Sequence, residues 1–195
     1  MNTVANPSRQ TNHWYRALGI AAALAFFMLL TRGSHVLTTV SLPDASLVLF
    51  LLGGLYLKRW GWFAAFFMLG SVIDFGAAAL DPAQGFCLTD GYWGLIPAYG
   101  VMWLGGRWLA SQGNAFAAIP YTAVTLFTTV LAFIISTQTY YLFSGRFPSN
   151  GISETILHGW NYLPSWLGFA AMYFGAVWIA AQVLRSIKIK RTVQA

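Results

Sequence analysis

Leu42-Pro43-Asp44-Ala45-Ser46-Leu47-Val48-Leu49-Phe50-Leu51-Leu52-Gly53-Gly54-Leu55-Tyr56 is the stretch whose reading decides the fold. It belongs to an apolar run, about 36–57, which Ser41-Leu42-Pro43-Asp44 interrupts, so that only Ala45 to Leu57 is continuous. A straight helix needs about 20 apolar residues to cross a bilayer core, and this piece is too short. Lipid offers no water to a freed backbone group. A broken run at membrane depth is therefore tolerated only where it lines a cavity or is buried in protein. Either way, other helices must surround it. Lys58 and Arg59 close the run.

The rest of the chain supplies those helices. Of its 195 residues 57% are hydrophobic and only 8% are charged, against about 25% charged in a soluble domain. This is the composition of an integral membrane protein. The length fits a single domain, residues 1–195, with six spans at about 14–31, 36–57, 60–80, 92–110, 116–143 and 160–184. The first run follows Arg9 and Arg16 as a signal peptide would, but it ends in Thr31-Arg32-Gly33-Ser34-His35 with no small-x-small cleavage site, and reads as a retained helix. Ala17, Ala21 and Ala25 on it are four apart and form a face that another helix can approach closely, either a partner's or one of this chain. The net charge of +6 does not point to nucleic acid, because the cations flank apolar runs and form no basic stripe.

Those cations also orient the chain. With both termini cytoplasmic, the inner side holds nine of the eleven Lys and Arg residues: Arg9, Arg16, Lys58, Arg59, Arg107, Arg185, Lys188, Lys190 and Arg191. Arg32 and Arg146 fall outside. All five acids, Asp44, Asp74, Asp81, Asp90 and Glu154, lie in the outer loops or the outer halves of spans, with His35 and His158. The inner face is an anchor; the chemistry gathers outside.

The outer loop Asp81-Pro82-Ala83-Gln84-Gly85-Phe86-Cys87-Leu88-Thr89-Asp90-Gly91-Tyr92 carries the only cysteine. Cys87 has no intramolecular disulfide partner, so it is either packing or a reactive thiol. Gly85 and Gly91 allow the backbone to bend closely around something, and thiolate is a soft metal ligand and a strong nucleophile. Asp74 sits inside a span, where an ionisable group is costly; it either contacts a ligand or pairs with Arg32 or Arg146. Asp44 suits a cap for the helix starting at Ala45. Tyr92 and Trp93 are belt residues or ligand platforms. No HExxH, CxxC, GxSxG or phosphate-binding glycine loop is present, which leaves a hydrolase or nucleotide enzyme unsupported.

The broken segment 42–56 resembles the second-helix region of substrate-binding S-components of energy-coupling-factor vitamin transporters, and the Ala-rich first helix resembles their docking face. Phe86-Cys87-Leu88-Thr89-Asp90-Gly91-Tyr92-Trp93, with Asp74 before it, resembles the BtuM family, solitary S-component-like proteins for vitamin B12. The resemblance covers essentially the whole chain. It implies an S-component-like all-α bundle in the bacterial cytoplasmic membrane, with cobalamin as substrate and Cys87 as axial cobalt ligand. The same thiol is then the candidate catalytic residue for removing cyanide from cyanocobalamin. It implies a pocket drawn from His35, Asp74, Phe86, Leu88, Tyr92 and Arg146, and uptake that needs no coupling-factor ATPase module. Two other readings stay open: an S-component for a smaller vitamin, and a thiol-based membrane redox protein. A single cysteine disfavours the second, since thiol exchange normally uses a resolving partner.

Overall fold

Two glycine pairs set the centre of the molecule. Gly53-Gly54 lies on α2 (Ser46–Tyr56) and Gly105-Gly106 on α4 (Leu95–Leu109). A Cβ at Gly54 would run into the backbone carbonyl of Trp103, and one at Gly106 into that of Leu51. The two backbones therefore touch directly, an approach only glycine permits. Gly53 leaves room for the ring of Trp103, which is fully buried and meets Phe63 edge to face at 5.7 Å. Phe50 stacks on Tyr99 at 4.4 Å in the same layer.

Around this pair stand α1 (Pro7–Arg32), α3 (Trp60–Leu80), α5 (Ala118–Phe143) and α7 (Leu163–Val193), with a short α6 (Gly151–Leu157). The structure, a computed structural model, describes residues 7–32, 42–147 and 151–193; His35 and the interruption at Ser41 lie outside them. The described residues are helical, with no strand among them. Four helical segments are long and apolar enough to cross a membrane: Trp14–Arg32, Trp60–Leu80, Ala118–Phe143 and Gly159–Ile187. At 11 and 15 residues, α2 and α4 are about 16 Å and 22 Å long, against a hydrocarbon core of about 30 Å. Most of α2 is buried by its neighbours, which is the environment a broken run requires, while α4 buries one face and exposes Leu104 and Trp108 on the other.

Contacts along the helices fix their directions. Trp14 meets Trp62 at one end of the bundle, and Arg32 meets Asp74 at the other, so α1 and α3 run the same way. Phe174 and Trp178 on α7 bond to Tyr121 and Phe116, while Trp166 meets Phe133, so α7 opposes α5. Thus α1, α3 and α5 point one way and α2, α4 and α7 the other. Lys58, at φ 62°, makes the reversal from α2 to α3 within three residues, filling the left-handed position where glycine is usual. The alanine face of α1 turns inward: Ala21 is buried in the core and Ala17 and Ala25 pack against it. Of the two uses open to that face, packing within the chain is the one observed.

Gly106→Ala is expected to lower stability by about 2–3 kcal/mol, because backbone cannot yield as a side chain does. Gly76→Ala, where the new methyl meets nothing within 4 Å, is expected to be neutral or to stabilise by about 0.5–1 kcal/mol. Unfolding of the detergent-solubilised variants measures both; equal effects at the two positions would remove the α2–α4 contact from its central place.

Candidate functional site

At the end of the bundle away from Trp14, the C-terminus of α1 turns one guanidinium into the protein. Arg32 Nε and Nη2 donate to the two oxygens of Asp74, each at 2.6 Å. Its Nη1 donates to Ser46 Oγ at 2.7 Å and to Tyr99 OH at 3.0 Å, with Asp44 Oδ2 at 3.6 Å. Tyr92 OH donates to Asp74 Oδ2 at 2.9 Å. The Arg32 side chain is only 10% exposed and that of Asp74 21%, so the fork-to-fork geometry is what makes burying these charges tolerable. Of the alternatives for Asp74, pairing with Arg32 is the one that forms. Asp44 accepts from the backbone N–H of Ser46 at 3.0 Å and from its hydroxyl at 2.7 Å. It therefore serves the start of α2 as its position suggests, and it also joins the Arg32 cluster. One cation faces two carboxylates, leaving a formal surplus of one negative charge.

The cysteine loop is more ordered than its glycines suggest. Asp81 accepts the N–H of Ala83 at 3.0 Å and starts a 3-10 turn, Pro82–Cys87; a second, Asp90–Gly94, leads into α4. A Cβ at Gly91 would lie 2.7 Å from the carbonyl oxygen of Thr139, and one at Gly85 would lie 3.3 Å from the Ala78 methyl. The close approach these glycines permit is to α5 and α3 of the same chain. Arg146, beyond α5, stacks its guanidinium 3.7 Å from the Phe86 ring centre and donates to the Phe86 carbonyl at 3.0 Å. It clamps the loop to the end of α5.

Between these parts lies a cavity of about 430 Å³. Arg32, Asp44, Asp74, Cys87, Tyr92 and Tyr99 line one side, and Phe133, Tyr140, Tyr141, Tyr162 and Trp166 the other. Of the residues singled out in the sequence, Asp74, Cys87 and Tyr92 meet here. Phe86 and Arg146 stand beside the cavity without lining it, and Leu88 is half-buried behind it. Tyr99, the tyrosines of α5 and Tyr162 just before α7 had no distinguishing signal, since membrane spans carry aromatic residues at both interfaces.

Cys87 is reachable from solvent, yet enough protein surrounds it that burial pushes its thiol above the ordinary range. The Asp74 carboxylate adds to the shift, and Arg146 and Arg32 oppose it. The resting group is the neutral thiol. No three His, Cys, Asp or Glu side chains converge among the described residues, so a metal at Cys87 would have to bring its other ligands with it.

Asp74→Leu strands Arg32 in a largely buried position and is expected to cost about 2–4 kcal/mol, while Arg32→Met combined with Asp74→Leu recovers most of the loss; denaturant unfolding of Arg32→Met, Asp74→Leu and the double variant reads the cycle. The alkylation rate of Cys87 by iodoacetamide should climb with pH to a midpoint above that of a free thiol. Asp74→Asn removes a raising influence and moves the midpoint down; Arg146→Gln removes a lowering one and moves it up. Shifts in the opposite directions would contradict the electrostatic reading.

The chain matches no protein-family model, and no curated protein is significantly similar to it, so the argument for function starts from this cavity.

Proposed function

We propose that the chain is a six-span protein of the bacterial cytoplasmic membrane that binds a corrinoid, vitamin B12 or a relative, from the outer side and mediates its uptake, with Cys87 Sγ as an axial ligand to cobalt. The observation that carries this reading is that the only thiol in the chain borders an open cavity ringed by aromatic side chains. Cobalt in a corrin arrives with four equatorial nitrogens, so a single soft donor suffices to complete its coordination. The apolar faces of the macrocycle suit tyrosine and tryptophan walls, and its rim amides suit the hydroxyl groups among them. Both chain ends leave from the bundle end that holds Lys58, Arg59 and Arg107, which supports six crossings with that end cytoplasmic.

With cyanocobalamin, the thiol displaces cyanide. A sulfur–cobalt bond forms, the cobalt–cyanide bond breaks, the thiol proton leaves as hydrogen cyanide and cobalt keeps its oxidation state. The raised pKa of the thiol makes the metal's attraction for sulfur the driving force, because coordination removes the proton outright.

A volume of about 430 Å³ is that of a pocket for a drug-sized ligand, so a corrinoid would be held at the mouth with one face toward Cys87. The same volume favours the second reading, a smaller vitamin enclosed in the cavity. One experiment separates them. Purified protein mixed with cyanocobalamin should change the visible absorption bands of the cobalt and release cyanide stoichiometrically. Cys87→Ser should abolish both while keeping part of the binding through the corrin contacts. Unchanged bands with the wild type, or equal cyanide release by Cys87→Ser, would sink the cobalt-ligand assignment.

A further inference from the structure

The cavity that holds Cys87 is the first of three that lie in file along α7. Trp166 and Asp44 border both this cavity and a small one of about 110 Å³. Ala170, one turn further along α7, borders both the small cavity and a third of about 350 Å³. The third lies between α5 and α7 and reaches to Tyr121 and Trp178, near the opposite end of the bundle. The three cavities thus border α7 from Trp166 to Trp178, less than half of the helix.

Two features mark it as more than loose packing. Thr129 Oγ1, in a residue only 1% exposed and bordering the third cavity, has no hydrogen-bond partner. Trp166 Nε1, on a residue shared by the first two cavities, is likewise buried and unpartnered. A buried polar group without a partner costs free energy, and both of these residues border the cavities; Trp166 also meets Phe133 edge to face at 5.6 Å. In addition, α7 is the least buried of the four long helices. Toward the inner end it is tied by hydrogen bonds from Tyr121 OH to the Phe174 carbonyl and from Trp178 Nε1 and Gln182 Nε2 to the Phe116 carbonyl. Near the Cys87 cavity Trp166 meets α5 through the Phe133 ring, an aromatic contact that can part without stranding a hydrogen bond. Tyr173 OH donates to the Pro43 carbonyl at 2.7 Å, a bond that movement of α7 breaks.

We propose that this file is the route by which the solute of the outer cavity crosses the bundle, with the Phe133–Trp166 pair as the constriction along it. The identity of the solute rests on the corrinoid reading; the route does not. Passage of a large solute requires α7 to swing away from α5. The small residues Ala170, Ala171 and Gly175 on its inner-cavity face leave space for that movement.

The test uses full-length protein in membranes, with Cys87→Ser as background and a charged, membrane-impermeant methanethiosulfonate as probe. Thr129→Cys should react at least tenfold faster than Ala132→Cys, a core position that borders none of the three cavities. Reaction of Thr129→Cys with a lipid-soluble maleimide alone would assign the third cavity to bilayer chains and overturn the route. A second arm keeps Cys87 and fills the third cavity by Gly175→Phe, at a position where an added Cβ meets nothing within 4 Å. Cyanocobalamin binding and the melting temperature should stay at wild-type values while uptake falls at least tenfold. Wild-type uptake by a folded Gly175→Phe protein also overturns the route. A wild type that shows no change in its cobalt bands overturns the corrinoid reading instead, and the labelling rates alone then decide the route.

Discussion

One arginine holds the Cys87 end of the bundle together. Arg32 closes α1 and bonds to α3 through Asp74, to α2 through Ser46 and to α4 through Tyr99. Four helices thus converge on one planar group. A guanidinium suits this task because its five donors point in fixed directions and it keeps its charge. A lysine at the same place would offer a point charge and could not answer the fork of Asp74. The cavity wall is built on this cluster, so the rigidity of the wall and the fold of that end share one cause.

The glycine contact at the middle of the bundle complements it. Direct touching of the α2 and α4 backbones brings Tyr99 within reach of Arg32 and places Trp103 under Gly53. The short α2 is enclosed by its neighbours, whereas the four long helices and one face of α4 are largely exposed. The cysteine loop then rests on a platform fixed from three sides: α3 precedes it, Gly91 seats it against α5, and Arg146 holds Phe86 from above.

Much of this was legible in the residues. The apolar runs gave the long helices, and the interruption before Ala45 marked α2 as a buried element. Asp74, isolated inside an apolar run, announced a partner, and Arg32 was one of only two cations on its side. The cavity was harder to read. Tyr99, Tyr140, Tyr141 and Tyr162 look the same in sequence whether they sit at a lipid interface or around a void; only the packing of α5 against α7 separates the cases. Gly85 and Gly91 were also ambiguous. Tolerance of close approach is visible in the sequence, but what approaches is not, and here it is the chain's own helices. Arg146 could be identified as an outer cation, though its grip on Phe86 depends on two loops separated by 60 positions.

The imbalance of charge around Arg32 has a bearing on which solutes are admitted. Arg146 adds a second positive charge near Cys87, while at the Arg32 cluster itself one cation is set against two carboxylates. A solute with a free carboxylate would bring a further like charge to about 8 Å, at a cost of roughly 2 kcal/mol for an effective dielectric of about 20. That corresponds to a bias of about thirtyfold. At the Arg32 cluster a further carboxylate therefore meets a penalty, whereas a carboxyl group masked as an amide does not.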